Sequence, residues 1–166
     1  MFDSLAPFFL LVLFFLGLII IWRVNARKYI SSGTVASAYD SWTQDKLLER
    51  LWGEHIHLGF YPEGNKNIDF RKAKIQFVHE LVKWSGLDKM PKGSRILDVG
   101  CGIGGSSRIL AKYYGFNVTG ITISPGQVKR ARELTPSGLS CNFQVMDAMD
   151  LKFEDGSFDA VWSVEA

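Results

Sequence analysis

The chain has 166 residues, enough for one ordinary domain with a small additional segment. Its 19 Lys and Arg nearly balance 17 Asp and Glu, and no basic stripe with interleaved aromatic residues occurs, so we expect no nucleic-acid partner. The two cysteines, Cys101 and Cys141, lack the spacing of metal ligands. Neither a disulfide framework nor a metal site is therefore predicted.

The N-terminal segment is strongly apolar. Leu5 to Trp22 is an 18-residue stretch without a charge, and as a helix it would be about 27 Å long, close to the hydrocarbon thickness of a bilayer. One acidic residue precedes this stretch and three basic residues follow it (Asp3, then Arg23, Arg27 and Lys28), which predicts a cytoplasmic C-terminal side. We expect a single-pass membrane anchor with a basic flank over residues 1–28. A cleaved signal peptide and a buried soluble helix are the alternatives.

The next segment is predicted to be helical, with one aromatic loop. Residues 29–34 (YISSGT) are small and polar and indicate a short hinge. Apolar residues at helical spacing predict one helix over Val35–Leu51 and a second over Ile68–Gly86. Between them, the sequence HIHLGFYP at 55–62 indicates an aromatic loop. Residues 29–91 are therefore expected to form a helical N-terminal extension.

From residue 92 to residue 166, short apolar strands alternate with helices. Strands are predicted over 95–99, 116–123, 141–146 and 158–163, and helices over 106–114 and from 125 to about 134. Ser124 is a capping residue and Pro125 favours the first helical position, which together indicate where the second of these helices starts. Strand–helix–strand units of this length imply an α/β domain, with a parallel sheet covered by helices on both faces.

A glycine-rich turn follows the first predicted strand. Gly100, Gly102 and Gly105 let a ligand approach the backbone, and the helix behind them offers free N–H groups to anionic atoms. The spacing also fits dinucleotide binding, but that function needs an acidic residue about twenty positions further on, and no Asp or Glu lies between Gly100 and Glu133. Asp98 instead lies inside the strand, where its carboxylate can bind the ammonium group of a methionine moiety.

Other polar residues near these motifs have both a functional and a structural interpretation. Asp147, at the end of the third strand, is placed to accept a hydrogen bond from an adenine amino group, or it is a solvated turn residue while Asp150 serves instead. Cys101 has no base close in sequence, so we interpret it as a packing residue. The aromatic loop contains His55 and His57, but a metal site would need a third ligand at a fitting distance.

At this point the motifs resemble a known family. The sequence ILDVGCGIGG at 96–105 is similar to the first motif of class I S-adenosylmethionine-dependent methyltransferases. The longer string LDVGCGIGGSSRILAKYYGFNVTGITISPGQVKRA resembles the tocopherol methyltransferase family, especially its methyl-phytyl-benzoquinol methyltransferases. The resemblance extends from about residue 32 to residue 166 and includes AYD (38–40), WGEHIHLGFY (52–61) and FDAVWSVEA (158–166). Several matching segments in order make it specific.

The resemblance implies a fold, a cofactor and a set of site residues. The fold is a class I, Rossmann-like domain, and the cofactor is S-adenosyl-L-methionine. Thr122 and Gln127 would hold the cofactor ribose where other methyltransferases use an acid. The full set of implied cofactor-binding residues is Ile96, Leu97, Asp98, Val99, Gly100, Cys101, Gly102, Ile103, Gly104, Gly105, Thr122, Ile123, Gln127, Asp147, Ala148 and Ser163.

The resemblance also implies the chemistry. A methyl group passes from a sulfonium to a carbon of a prenylated (phytylated) benzoquinol or of a tocopherol, in tocopherol or plastoquinol-type biosynthesis. The aromatic loop would form a lid over the methionine end of the cofactor, and Glu165 has the position of an active-site carboxylate in related enzymes. Tyr39, His55, His57 and Glu165 are the candidates for the base or for positioning the hydroxyl. The expected partners are the lipid bilayer and a prenylated quinol, with the catalytic domain on the cytoplasmic side of the membrane.

One departure from the family pattern concerns length. A complete class I domain has seven strands, and the chain contains four predicted strands, so the family's third motif and most of its substrate pocket are absent. We expect a truncated first half-domain whose activity alone is doubtful. A sterol-type methyltransferase or cyclopropane synthase acting on another lipid, and a non-catalytic cofactor-binding fragment, are the alternative functions.

Overall fold

The computed structural model describes residues 6–25, 32–63 and 67–166. Two compact units divide the chain between Thr34 and Val35. The first contains helix α1 (Ala6–Asn25), so the predicted helix forms, but none of the helices in the described ranges is long and apolar enough to cross a membrane. The predicted transmembrane anchor over 1–28 is therefore not supported by the described residues, and its residues 1–5 and 26–28 lie outside them.

The second unit is built on one four-stranded parallel sheet. Its strands are β1 (Arg95–Val99), β2 (Asn117–Thr122), β3 (Cys141–Val145) and β4 (Ala160–Ser163), in the spatial order β3-β2-β1-β4. Strand β1 pairs with β2 on one side and β4 on the other, so that Asp98 lies beside Gly120 and Trp162. The chain changes direction across the sheet between β1 and β4, where the carboxyl ends of parallel strands flank a crevice. The predicted α/β fold with a parallel sheet is confirmed.

Five further helices accompany the sheet in the described residues. They are α2 (Ser32–Gln44), α3 (Leu47–Trp52), α4 (Phe70–Ser85), α5 (Gly105–Tyr114) and α6 (Pro125–Leu134), with a short 3-10 turn at Leu87–Lys89. The bounds of α4, α5 and α6 agree within about two residues with those of the helices predicted from the sequence. Helix α4 starts at its cap Asp69, whose side chain accepts from the N–H groups of Arg71 and Lys72, and ends at Gly86 in the left-handed conformation.

The helix predicted over Val35–Leu51 is instead two helices, α2 and α3. Lys46 has a left-handed backbone (φ 54°), which interrupts the helical path, and the Asp45 side chain accepts from the Leu47 N–H at 2.8 Å to start α3. The predicted hinge over 29–34 is also wrong in part, because Ser32–Thr34 belongs to α2. Its first residues, 29–31, lie outside the described residues.

The core lies between the sheet and the helices. One cluster joins Val78 and Val82 of α4 to Leu110 of α5, and it includes Phe116 and the β4 residue Trp162. A second, smaller cluster joins Val128 and Ala131 of α6 to Phe143 of β3 and to Cys101 in the turn after β1. Burial of these side chains fixes α4, α5 and α6 against the sheet and so holds the turns after β1 and β2 in place.

Candidate functional site

A cavity of about 380 Å³ opens at the carboxyl ends of the strands, within the 35–166 unit. Its floor is the turn between β1 and α5, where Gly100, Gly102 and Gly104 all have positive φ (71°, 53° and 80°), a conformation that side chains other than glycine's disfavour. Helices α2 and α3 and the loop that follows them form the opposite wall. The volume is in the range of small-molecule sites.

The cavity collects most of the residues that the sequence predicted for the cofactor. Asp98, Val99, Gly100, Cys101, Gly102, Ile103, Gly105, Thr122, Ile123, Gln127 and Ala148 all line it. The four predicted catalytic candidates, Tyr39, His55, His57 and Glu165, line it as well. The remaining predicted residues, Ile96, Leu97, Gly104, Asp147 and Ser163, are not among the lining residues, and Ile96 is instead a core residue with no exposed surface.

Asp98 is a buried carboxyl group in the cavity wall, with 2% of its surface exposed. Ser107 in α5 donates its hydroxyl to Asp98 Oδ2 at 2.5 Å. Burial raises the pKa of Asp98 to about 7, and the Ser107 hydrogen bond opposes that rise. A buried carboxylate with a raised pKa is stabilised by a cation beside it, which an α-ammonium group can supply.

The turn from Thr122 to Gln127 is held by hydrogen bonds among its own residues. Thr122 donates its hydroxyl to Gln127 Oε1 at 2.7 Å and accepts from the Ser124 N–H at 3.3 Å. Ser124 caps α6 as predicted, accepting from the Gln127 N–H at 3.0 Å. Thr122 and Gln127 line the cavity, so their placement is compatible with the predicted contact to a ribose.

Asp147 and Ser163, which were also predicted to bind the cofactor, do not line the cavity. Asp147 follows β3, and its Oδ1 accepts from the Met149 N–H at 2.9 Å in a local turn, while its neighbours Met146 and Ala148 line the cavity. Ser163 ends β4 as an exposed residue, whereas the adjoining Trp162 is buried. The adenine contact of Asp147 stays a prediction.

Cys101 lines the cavity as a buried thiol. Burial raises its pKa well above the ordinary value, with the charge of Asp98 adding to the rise, so the thiolate is strongly disfavoured. Its Sγ lies 3.6 Å from the Gly102 carbonyl oxygen and packs with Phe143 and Val128. These surroundings support the interpretation of Cys101 as a packing residue.

His55 and His57 form a hydrogen-bonded pair in the loop after α3. His57 Nδ1 lies 2.8 Å from the Leu58 carbonyl oxygen, which can only accept, so this nitrogen carries the proton. His55 Nδ1 lies 3.1 Å from His57 Nε2 and therefore donates to it. Burial lowers the pKa of His55 to about 3, with neighbouring positive charges adding to the effect, and burial also lowers the pKa of His57. Both imidazoles are consequently neutral near pH 7.

The loop that carries the histidines is held from two sides. Lys74 of α4, itself buried, donates to the carbonyl oxygens of His55 at 2.8 Å and Trp52 at 3.2 Å. Glu165 accepts from the Leu58 N–H at 3.0 Å, and its own backbone is left-handed (φ 50°). A left-handed non-glycine residue is uncommon and is often found at functional sites. The loop and the end of β4 are thus joined at the cavity through Glu165.

Residues of α2 and α3 complete the cavity, and most of them were not predicted as site residues from the sequence. Trp42 stands with its ring edge-on to Tyr39, with centroids 5.4 Å apart. Glu49 makes two hydrogen bonds to Arg130 of α6 (2.7 and 2.8 Å), and Glu54 pairs with Arg108 of α5 at 2.6 Å. We call residues 35–58 the cover segment. The sequence signals for it were the helical spacing over Val35–Leu51, the aromatic loop at 55–62, and the AYD and WGEHIHLGFY matches.

The charge of the cavity wall is one-sided. Among the described residues that line it, four carry carboxyl groups, Glu49, Glu54, Asp98 and Glu165, and none is a Lys or Arg. A phosphate-bearing dinucleotide would find no cationic side chain there, whereas a ligand with an ammonium and a sulfonium group would find compensating charge. The carboxyl groups that line the cavity therefore fit the positive charges of S-adenosylmethionine.

Comparison with known proteins agrees with this fit. Residues 96–166 match the methyltransferase domain family. The chain is 62% identical over 146 residues to 2-methyl-6-phytyl-1,4-hydroquinone methyltransferase of Synechocystis sp., covering 88% of this chain and 46% of that protein. It is 42% identical over 130 residues to chloroplastic tocopherol O-methyltransferase of Arabidopsis thaliana, covering 72% and 37%. The chain thus spans about half the length of the curated relatives it matches or less.

Solved structures share the fold. The [4+2]-cyclase SpnF superposes with a TM-score of 0.67 and 32% identity, covering 80% of this chain and 48% of that one. Phosphoethanolamine N-methyltransferase 2 of Haemonchus contortus, in complex with S-adenosyl-L-methionine, gives a TM-score of 0.52 and 28% identity, covering 75% and 25%. Residues 96–166 thus form part of a methyltransferase domain, and the chain has the fold of the class I S-adenosylmethionine-dependent methyltransferases. Within that class its resemblance to the tocopherol methyltransferase family is confirmed, and S-adenosylmethionine is the expected cofactor.

The buried Asp98 predicts how cofactor binding depends on residue and pH. We consider an extended protein, in which Ala166 is followed by the C-terminal half of the Synechocystis relative. Asp98→Ala should weaken S-adenosylhomocysteine binding by about ten- to a hundredfold, since a charge-assisted hydrogen bond contributes roughly 1.5–3 kcal/mol. Cys101→Ala, the control, should bind nearly as the parent does. Isothermal titration calorimetry measures both, and normal binding by Asp98→Ala would refute the assignment.

The sign of the pH effect follows from the raised pKa of Asp98, about 7. Affinity for S-adenosylhomocysteine should rise between about pH 6 and pH 8 as the carboxylate forms, and Asp98→Asn should flatten that rise. Without ligand, the same group favours folding at low pH, and its contribution is lost as the pH rises from about 4 to 7, because the unfolded carboxyl ionises first.

Proposed function

We propose that the chain forms the cofactor-binding part of an enzyme that transfers a methyl group from S-adenosylmethionine to a ring carbon of a phytylated benzoquinol. The observation that carries the proposal is the juxtaposition in one cavity of the predicted cofactor residues and the candidates Tyr39, His55, His57 and Glu165. The 62% identity to the Synechocystis hydroquinone methyltransferase supports the choice of substrate. Methylation of a tocopherol hydroxyl is the second candidate, favoured by the Arabidopsis relative.

In this mechanism the chain binds and orients the reactants. Asp98 holds the α-ammonium group, while Thr122 and Gln127 hold the ribose. When bound, the cofactor supplies an electrophilic methyl group on a sulfonium. Holding that group in line with the ring carbon removes much of the entropic barrier of a bimolecular reaction. The cavity wall, formed by the cover segment, limits access of water to the sulfonium.

The substrate must also lose a hydroxyl proton, because a phenolate makes the neighbouring ring carbon nucleophilic. The ring carbon that gains the methyl group then loses its own hydrogen as a proton, which restores the aromatic quinol. His55 is a poor proton acceptor, since its pKa is lowered to about 3 by burial. Glu165 is the carboxylate among the four candidates, and it lies where the histidine loop meets β4. Glu165 is therefore proposed as the base, with the histidine pair and Tyr39 positioning the loop and the quinol hydroxyl.

The substrate proposal predicts a specific labelling pattern. In lipid vesicles, the extended protein should transfer labelled methyl to the ring carbon of a phytylated benzoquinol. The corresponding quinone should not react, because it has no hydroxyl proton to lose. Mass spectrometry of the product distinguishes methylation at carbon from methylation at oxygen. Label on a sterol or on an olefinic acyl chain would favour the sterol-type or cyclopropane alternative, and cofactor binding without any methylated product would favour a non-catalytic fragment.

The base proposal predicts a split between turnover and binding. Glu165→Gln keeps an oxygen that can accept from the Leu58 N–H but removes the carboxylate, so kcat should fall by about 10²–10⁴-fold. S-adenosylhomocysteine affinity should change less than about threefold, since the loop contact persists. His57→Ala should also lower turnover more than it weakens cofactor binding, because it removes the partner of both His55 and Leu58. A Glu165→Gln enzyme with parental kcat would exclude this residue as the base.

We further propose that the enzyme works beside a bilayer, because a phytylated quinol is concentrated in lipid and not in water. After fractionation of cells that produce the extended protein, it should sediment with membranes and remain there after a high-salt wash. Release into the soluble fraction by salt alone would indicate an electrostatic contact in its place. Recovery in the soluble fraction without any wash would contradict the location.

A further inference from the structure

Asp40, in helix α2, contacts the start of helix α6 although 84 residues separate it from Ser124. A single carboxylate oxygen, Oδ1, accepts from the Ser124 hydroxyl at 2.5 Å and from the Gly126 N–H at 2.8 Å. The second of these contacts satisfies a backbone N–H in the first turn of α6, which has no partner within the helix. Asp40 does not line the cavity, so it acts on the site only through the turn that it contacts.

The contacted turn is the one that presents Thr122 and Gln127 to the cavity. The Ser124 hydroxyl, whose single hydrogen goes to Asp40, accepts from the Gln127 N–H at 3.0 Å. The Thr122 hydroxyl gives its own hydrogen to Gln127 Oε1 at 2.7 Å. Each hydroxyl in the turn therefore has a fixed acceptor: the Ser124 hydroxyl donates to Asp40, and the Thr122 hydroxyl donates to the side-chain oxygen of Gln127.

Gly126 has a feature that this contact explains. A Cβ atom built at Gly126 would lie 2.8 Å from Asp40 Oδ1 and 3.5 Å from Asp40 Cα. Glycine in a helix is less favourable than alanine, so its presence near the start of α6 needs a local reason. The close approach of the Asp40 carboxylate supplies it.

Asp40 is not required to attach the cover segment to the sheet domain. The same segment is tied to α6 by the two hydrogen bonds between Glu49 and Arg130, and to α5 by the pair of Glu54 and Arg108. Loss of the Asp40 contact should therefore disturb the Thr122–Gln127 turn while the segment stays in place.

We propose that Asp40 is a positioning residue that sets Thr122 and Gln127 for the ribose hydroxyls and so couples the cover segment to cofactor recognition. The inference rests on the proposed S-adenosylmethionine site. Its distinguishing consequence is selectivity for the ribose. A contact that only stabilised the fold would affect all ligands of the cavity to the same degree.

The test compares two ligands, S-adenosylhomocysteine and its 2′-deoxy analogue, by isothermal titration calorimetry on the extended protein. Asp40→Ala should weaken S-adenosylhomocysteine binding on the order of tenfold and the deoxy analogue much less, so that discrimination between them falls. Asp40→Asn, which keeps an oxygen acceptor, should retain most of the discrimination. Ser41→Ala, at the neighbouring exposed position of α2 that does not line the cavity, is the matched control on the same segment and should leave the discrimination unchanged.

Gly126→Ala tests the same contact from the other partner without weakening helix α6. Its Cβ displaces the Asp40 carboxylate, so it should reproduce the loss of discrimination, and adding Asp40→Ala should cause little further loss. Unchanged discrimination in both Asp40→Ala and Gly126→Ala, or an equal loss for both ligands, would overturn the inference alone. Failure of the parent protein to bind S-adenosylhomocysteine would refute the proposed cofactor site and this inference with it.

Discussion

The pairing of β1 with a parallel neighbour on each side is the constraint on which the site depends. Because β2 and β3 lie on one side of β1 and β4 on the other, the connection that leaves β1 turns toward β2 and away from β4, which opens a crevice between β1 and β4. The central position of β1 buries its side chains on both faces, so Asp98 is removed from water while the following glycine turn stays at the crevice. A buried carboxyl beside an open turn is thus a product of topology.

The cover segment adds a second set of carboxylates to this frame. Asp40, Glu49 and Glu54 each meet a donor on α5 or α6, at the start of α6, at Arg130 and at Arg108 respectively. Partly exposed pairs of this kind contribute about 0–1 kcal/mol each, less than burial in the core. We therefore expect the cover segment to open locally at a lower free-energy cost than the sheet domain, which gives a cofactor a way into a cavity whose floor stays folded.

The sequence contained enough local information to predict the frame of the site. Ser124 followed by Pro125 predicted the start of α6, and the apolar strands with their glycine turn predicted a parallel sheet with a ligand at its edge. The break between α2 and α3 was missed because a lysine, Lys46, adopts the left-handed conformation there, and no glycine or asparagine marks it. The contacts of Asp40 and Glu49 join positions more than eighty residues apart, so no local pattern could reveal them. Asp147 was predicted from its place at a strand end, whereas its carboxylate is bonded within its own turn.

The electrostatics of the cavity connect the fold to the chemistry. A sulfonium that transfers its methyl group needs surroundings that tolerate a positive charge, and a second cation nearby would oppose binding. An imidazolium at His55 or His57 would be such a cation. Burial lowers the pKa of both rings and so favours their neutral forms, and the hydrogen bonds to Leu58 and between the rings require Nε2 of His57 to be unprotonated. The lysine that holds the loop, Lys74, directs its ammonium group to backbone carbonyl oxygens and does not line the cavity. The cations that pair with Glu49 and Glu54 likewise do not line it, so among the described lining residues the formal charge is carried by carboxylates alone. One of these carboxylates is Glu165, the proposed base, so the group that would take the quinol proton lies in the same cavity wall as the carboxylates that face the sulfonium.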